Sequence, residues 1–371
     1  MPKKNILLLY ITEVSGHHSA SLAIEKSLKI LSPNLRILNL NAFHYTNPIS
    51  EKIVNRIYTT VIKRTPKIWD YVYDNLKVKK SIDKFQDTIH KLNSPKLKRL
   101  FDQFQPDIIV CTQAYPCGMV AEFKKAYQSK IPLIGVLTDY VPHSYWLYDN
   151  VDYYICPSRE IGQRLIKKGI PGHKIKALGI PFDPDFTVVV NKTAILEKLN
   201  FTSGTKTVLI MGGGQGLGPI KTIVNSLDKV KSDFQEIIVT GTNKKLYKSL
   251  KKNLKKYKKK ICLRDYAYNI NELMSISDLI ITKPGGITIS EALSKKLPML
   301  IIKPIPGQET NNTVYLTEQK AAINIDNPKE INLIVEDLLT NPEKLKRISE
   351  SCGRIAKPAA GLDIARFILS L

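Results

Sequence analysis

The stretch Glu13-Val14-Ser15-Gly16-His17-His18-Ser19 places two histidines in a small-residue turn directly after an apolar run, residues 5–11. A turn from a buried strand into a helix leaves backbone N–H groups free at the helix N-terminus. An imidazole there stands at the carboxyl edge of a sheet, where ligands of open α/β sheets bind. With a pKa close to neutral it can take a proton from an alcohol. His17, next to Gly16, is the expected general base, with His18 the second choice. The competing reading is a histidine that only caps its helix.

Three further turns could hold a phosphorylated ligand. Met211-Gly212-Gly213-Gly214-Gln215-Gly216-Leu217-Gly218 sets five glycines within seven residues after an apolar run. Such a loop lets backbone approach a ligand closely, so Gly213, Gly214 and Gln215 are candidate contacts. No Gly-Lys-Ser/Thr follows, which excludes a triphosphate P-loop. In Asp278-Leu279-Ile280-Ile281-Thr282-Lys283-Pro284-Gly285-Gly286-Ile287-Thr288-Ile289-Ser290-Glu291, a strand meets a Gly-Gly turn and a helix expected to begin near Thr288. Backbone N–H groups at Gly285, Gly286 and Thr288 would favour a diphosphate through the helix dipole. Glu291, expected in the first helical turn, would accept both hydroxyls of a ribose. Thr288-x-x-Glu291 reads equally well as a capping box that needs no ligand. Finally, Lys303-Pro304-Ile305-Pro306-Gly307-Gln308-Glu309-Thr310-Asn311-Asn312 gathers amides and a carboxylate after a strand. Gln308, Glu309 and Asn312 offer partners for phosphate and sugar hydroxyls, against the plainer reading of a loop and helix cap.

These turns need a scaffold that presents them on one edge. Strand-like runs at 5–11, 35–40, 107–111, 132–137, 151–156 and 175–178 alternate with helical patterns. A second series follows at 208–211, 236–240, 261–263, 278–282, 299–302 and 322–325. The runs are near-continuous Val/Ile/Leu rather than alternating, as in parallel sheets buried on both faces. The fold class is therefore α/β, with two doubly wound, Rossmann-like domains and a seam near 181–206. The expected division is residues 1–184 and 185–357, followed by a last helix at 358–371.

Hydrophobic residues make up 43% of the chain, normal for a globular protein and too high for disorder. No apolar run has the length of a membrane span. The five cysteines are scattered without zinc or disulfide spacing, which points to a reducing, cytoplasmic setting. The formal charge of +23 implies attraction to something polyanionic, or a lysine-rich solvated surface. Two segments concentrate it. Residues 52–99 carry 13 Lys/Arg against four Asp, interleaved with Tyr58, Trp69, Tyr71, Tyr73 and Phe85. Basic residues beside aromatics suit a membrane interface, with Lys63, Arg64, Lys67 and Trp69 as candidate contacts. The plainer reading is an amphipathic helical insertion. Residues 244–260 hold ten lysines in seventeen residues around a stripe of Leu246, Leu250, Leu254 and Tyr257, and read as a surface helix with its lysines in water.

Together the motifs resemble the glycosyltransferases that make monogalactosyl- and glucosyl-diacylglycerol. They also resemble their relative, the N-acetylglucosamine transferase of peptidoglycan lipid synthesis. The resemblance runs through Gly16-His17, Leu137-Thr138-Asp139-Tyr140 with His143 and Trp146, and Cys156-Pro157-Ser158. It continues through Gly179-Ile180-Pro181-Phe182-Asp183-Pro184, the glycine loop, Lys283-Pro284-Gly285-Gly286 with Glu291-Ala292, and Pro306-Gly307-Gln308-Glu309. The resemblance implies a GT-B fold: an N-terminal acceptor and membrane domain, a C-terminal UDP-sugar domain, and a final helix returning to the first domain, around a central cleft. It implies inverting hexose transfer (galactose or glucose) from a UDP-sugar to diacylglycerol or a related glycolipid, with no metal and no cofactor beyond the donor. His17 matches the family's proposed base and Asp139 an acid that orients base or acceptor. Glu291 matches the ribose holder, and Gly213, Gly214, Ser290 and Gln308 the diphosphate and sugar contacts. Tyr266 and Ala267 fall where uracil is received, and His143 and Trp146 on the acceptor side. Glu13-Val14-Ser15 departs from the glycine-richer turn of many relatives, which bears on sugar choice.

The implied location is cytoplasmic, peripheral on the inner face of an anionic membrane. The competing functions are transfer to a polyprenyl-linked or soluble acceptor, UDP-sugar epimerisation, and non-enzymatic nucleic-acid binding. No nucleic-acid module is recognisable, so no nucleic-acid partner is expected.

Overall fold

The computed structural model describes residues 4–13, 15–46, 94–141, 146–302, 304 and 307–371. It divides into two compact units. The first comprises Met1–Pro184, Ile305–Asn311 and Ala359–Leu371; the second comprises Asp185–Pro304 and Asn312–Pro358.

The first unit is built on a six-stranded sheet of order β2-β1-β3-β4-β5-β6. Its strands are β1 Asn5–Tyr10, β2 Arg36–Asn41, β3 Ile108–Cys111, β4 Leu133–Val136, β5 Tyr153–Ile155 and β6 Ile175–Lys176, and every pairing is parallel. The central strands β1, β3 and β4 are buried almost throughout, as their unbroken apolar runs require, whereas edge strand β2 is only partly buried. One face of the sheet is covered by the helices Gly16–Leu31 and Ala360–Ser370, which bury Ile24, Leu28, Ile364, Ala365 and Ile368 against Ile6, Leu8 and Val110. Gly361 lets these two helices come close: a Cβ there would stand 2.7 Å from Ser27 Oγ. The helix Gly16–Leu31 begins at Gly16 because Ser15 caps it by accepting a bond from the His18 N–H.

The second unit repeats the plan with order β12-β11-β10-β7-β8-β9. Its strands are β7 Thr207–Met211, β8 Gln235–Val239, β9 Lys260–Arg264, β10 Leu279–Thr282, β11 Met299–Ile302 and β12 Ala322–Ile325, again all parallel. All twelve strand runs expected from the sequence are present, each within two residues of its expected ends.

Strand order fixes where each unit can bind a ligand. In the first, the chain passes from β1 to β2 on one side and then to β3 on the other, so the crevice opens at the carboxyl ends of β1 and β3. In the second, β7 leads outward through β8 and β9 before β10 returns to its other side, which opens the crevice between β7 and β10.

Candidate active site

The crevice of the first unit holds His17. Its Nδ1 lies 3.0 Å from the Thr112 carbonyl oxygen and 2.9 Å from Thr138 Oγ1. Thr112 follows β3 and Thr138 follows β4; both are buried. The Thr112 hydroxyl also donates to the His17 carbonyl at 2.8 Å, so the residue is clamped at ring and backbone alike. A carbonyl can only accept. In the neutral ring, Nδ1 therefore carries the proton and Nε2 keeps the lone pair, the tautomer a general base requires. Burial in this crevice pulls the imidazole pKa from 6.5 down to about 4, and the Thr112 carbonyl offsets only part of that shift. At neutral pH the ring is uncharged and ready to accept a proton.

His18 is committed elsewhere. Its Nδ1 donates to the Glu13 carbonyl at 2.7 Å, and its ring stacks on Tyr10 at 4.2 Å. The Tyr10 hydroxyl donates to the Glu13 carboxylate in turn. His18 thus braces the turn that presents His17. Asp139 follows directly on Thr138 and accepts a 3.1 Å bond from Gln308 Nε2. Both residues fall in the first unit, as does Glu309.

The crevice of the second unit is lined by backbone. The glycine loop folds on itself through Leu217 N–H to Gly212 O and Gly216 N–H to Gly213 O, at 2.9 and 3.0 Å. It is tied to the turn after β8 by Thr242 N–H to Gly214 O at 2.9 Å, and that turn to the segment after β9 by Gly241 N–H to Asp265 O at 3.1 Å. Gly213, Gly216 and Gly241 adopt left-handed φ of 67°, 58° and 56°. At Gly216 a side chain would also collide with the Thr240 carbonyl. Gln215 is half-buried in the same loop. On the β10 side the helix Gly286–Ser294 starts at Gly286, with Gly285 at the cap position and no side chain capping it. Its first-turn N–H groups at Gly286, Ile287 and Thr288 have no intrahelical acceptor.

This start corrects two expectations. Thr288 lies inside the helix, so Thr288-x-x-Glu291 is not a capping box. Glu291 moves from the first turn to the second. Ser290 is buried and donates to the Gly286 carbonyl at 2.9 Å, holding the turn from beneath. Asn312, expected at sugar hydroxyls, is fully buried and donates to Pro284 O at 3.0 Å, which anchors the same turn. Trp146, expected to meet the acceptor or membrane, is 3% exposed and packs in the core against the Gly135 backbone. Tyr266 is exposed and meets Tyr268 edge-on at 5.0 Å, with Ala267 between them at the end of β9. Lys63, Arg64, Lys67, Trp69, His143 and Lys303 lie outside the described residues.

Three residues beside the two crevices were given no role from the sequence. Thr112 and Thr138 orient the His17 ring, and the only signal was a threonine immediately after each of two buried runs. Lys283 is the third. Its Cε lies 3.3 Å from where a Gly213 side chain would begin, which brings a cation to the mouth of the glycine loop.

Comparison with known proteins decides the family. The profile of monogalactosyldiacylglycerol (MGDG) synthase matches residues 17–182, and that of the glycosyltransferase family 28 C-terminal domain matches residues 207–359. A processive diacylglycerol beta-glucosyltransferase of Bacillus licheniformis is 30% identical over 353 residues, covering 94% of this chain and 90% of the relative. The chain belongs to this glycosyltransferase family. The enzyme of the same name from Bacillus subtilis is also 30% identical, with the same coverage of 94% and 90%. Among solved structures, Acinetobacter baumannii MurG superposes with a TM-score of 0.64 at 13% identity, covering 99% of this chain and all of MurG. A Staphylococcus aureus MnaA–UDP structure gives 0.64 at 15% identity, covering 98% and 96%. The fold is GT-B. The chain is a UDP-sugar hexosyltransferase by family, and no helix among the described residues is long and apolar enough to cross a membrane.

Proposed function

We propose that this enzyme transfers a hexose, glucose first among the candidates, from its UDP-sugar to the hydroxyl of diacylglycerol with inversion at the anomeric carbon. The observation that carries the mechanism is the clamp on His17, which leaves Nε2 as the free basic atom. Nε2 takes the acceptor proton as the acceptor oxygen forms its bond to the anomeric carbon. The bond from that carbon to the diphosphate oxygen breaks, and UDP leaves with the electron pair. Asp139, held by Gln308, is placed to orient acceptor or base. Glu309 is a candidate partner for sugar hydroxyls. The departing diphosphate is met by loop N–H groups at Gly213, Gly214 and Gln215, the uncapped helix start at Gly286, Ile287 and Thr288, and Lys283, whereas the Gly285 N–H is taken by the Lys283 carbonyl at 3.0 Å. Glu291 is assigned the ribose and Tyr266 with Ala267 the uracil. Ser290 and Asn312 act through the turn they hold. Because the acceptor is a lipid, the reading places the enzyme peripherally at a membrane, at the cytoplasmic face where UDP-sugars are made.

The test is transfer from radiolabelled UDP-glucose and UDP-galactose to diacylglycerol, with a polyprenyl-linked sugar as competing acceptor. Lipid-linked product from diacylglycerol is expected; product only with the polyprenyl acceptor would overturn the assignment. The pH profile tests the base. With His17 near 4, the acid limb of kcat/KM falls well below the ordinary histidine range, and activity at pH 5.5 stays close to its plateau. A limb near 6.5 would mean that another group sets it.

A further inference from the structure

We infer that the lysine-covered helix Lys244–Asn253, its following turn and edge strand β9 form an electrostatic docking surface on the second unit for an anionic phospholipid bilayer. The inference rests on the reading that the enzyme works on a lipid acceptor.

Nine of the ten lysines from Lys244 to Lys260 are exposed, and the segment contains no acidic residue. None of them lies within ion-pair distance of a carboxylate among the described residues. Elsewhere on the same unit the pattern differs: Lys206 pairs with Asp278 and Lys344 with Asp337. The run is also unfavourable for the helix that carries it. Lys244, Lys248 and Lys252 repeat at a four-residue spacing, and Lys248 and Lys251 at three, where like charges repel. Lys244 and Lys245 occupy the first turn, which has no acidic residue, and oppose the helix dipole.

What holds the helix is its other face. Leu250 is fully buried, Leu246 and Tyr257 pack on the core of the unit, and Asn243 caps the N-terminus through the Leu246 N–H at 3.0 Å. The apolar stripe is therefore spent on the protein interior and does not enter a bilayer. Exposed Lys260 and Arg264 on β9, the outermost strand of its sheet, extend the same charge. An unneutralised cationic face without an available apolar stripe fits the surface potential of an anionic leaflet and requires no insertion.

The test compares the full chain with a variant carrying Lys248→Gln, Lys251→Gln, Lys252→Gln and Lys255→Gln. All four sites are exposed, and neutralising them relieves repulsion, so folding is retained. Binding to vesicles of phosphatidylcholine with about 30% phosphatidylglycerol is expected to weaken roughly 100-fold, while binding to pure phosphatidylcholine stays equally weak. The matching Lys→Arg set should bind as wild type. A control with Lys198→Gln, Lys329→Gln, Lys346→Gln and Lys357→Gln, exposed residues elsewhere on the unit, should lose less than about threefold. Transfer to diacylglycerol in detergent micelles should be unchanged in every variant. If wild type shows no such transfer, the proposed function fails, whatever the vesicles show. If micellar transfer is normal but the Gln variant binds anionic vesicles as wild type does, the docking surface is overturned and the lysines are a solvated face. Unchanged vesicle binding with loss of single-stranded RNA binding would overturn it in favour of a nucleic-acid surface.

Discussion

The two crevices are built from different materials. In the first unit the placed groups are side chains: His17, held by the Thr112 carbonyl and the Thr138 hydroxyl, and Asp139, held by Gln308. In the second, backbone dominates: a glycine loop tied to its neighbouring turns, an uncapped helix start, and one lysine at the loop mouth. The proposed chemistry explains the contrast. Removing one proton needs one basic atom with a defined tautomer, which a clamped ring provides. Accepting charge spread over a diphosphate needs many weak donors at short range, and N–H groups without side chains in the way provide that.

That contrast predicts two kinds of failure. His17→Ala should lower kcat by about 1,000-fold, with UDP affinity unchanged in calorimetric titration. An equal loss of UDP binding would mean that the two crevices are not separate in function. Gly216→Ala should do the reverse. The new methyl meets the Thr240 carbonyl at a φ of 58°, so the loop must shift. UDP affinity should fall by about 30-fold or more, at roughly 1.4 kcal/mol per decade. Gly218→Ala separates strain from collision, since its φ is 100° but nothing stands within 4 Å of the new Cβ. It should lose clearly less affinity than Gly216→Ala.

The same contrast governs what the sequence disclosed. Every strand among the described residues was legible, because a parallel sheet buried on both faces writes itself as unbroken apolar runs. The placement of the glycine loop and of Gly16-His17 at the carboxyl ends of β7 and β1 was legible, because each directly follows an apolar run. The orientation of His17 was not. It depends on a backbone carbonyl and a hydroxyl 95 and 121 residues away, and no local pattern encodes that. Asn312 misled for the opposite reason: an amide in a polar cluster resembles a ligand contact, yet burial commits it to Pro284. The helix start at Gly286 was missed because Thr288-x-x-Glu291 carries a stronger local signal than a glycine without a cap.

Lys283 sharpens the comparison at a smaller scale. If the second crevice works mainly through backbone, its lysine is an auxiliary, and Lys283→Met should lower kcat/KM by about tenfold, a single-charge effect. Lys283→Arg should recover part of the loss. A loss as deep as that of His17→Ala would make the lysine, not the loop, the principal stabiliser of the leaving group.

The smallest effect concerns a buried titratable group that serves no crevice. Gln235 and Glu236 are neighbours on β8, and both are 1% exposed. Gln235 satisfies its amide through Thr202, Thr205 and Thr207. Both carboxylate oxygens of Glu236 lack a hydrogen-bond partner among the described residues. Burial, then the nearby Asp228, pushes its pKa from 4.5 up to about 8, with Lys259 opposing. His17 and Glu236 are thus both held neutral, but with opposite consequences. His17 has a native pKa below its unfolded value, so its contribution to stability is lost as pH falls from 6.5 through about 4. Glu236 has a native pKa above its unfolded value, so the folded state binds the extra proton, and stability is lost as pH rises from 4.5 through about 8. Glu236→Gln removes that second loss. In thermal melts it should match wild type near pH 4.5 and exceed it by a few degrees, about 5 °C, at pH 8. An equal offset at both pH values would show that the substitution acts through packing, and that Glu236 finds in the folded chain a partner strong enough to keep it ionised.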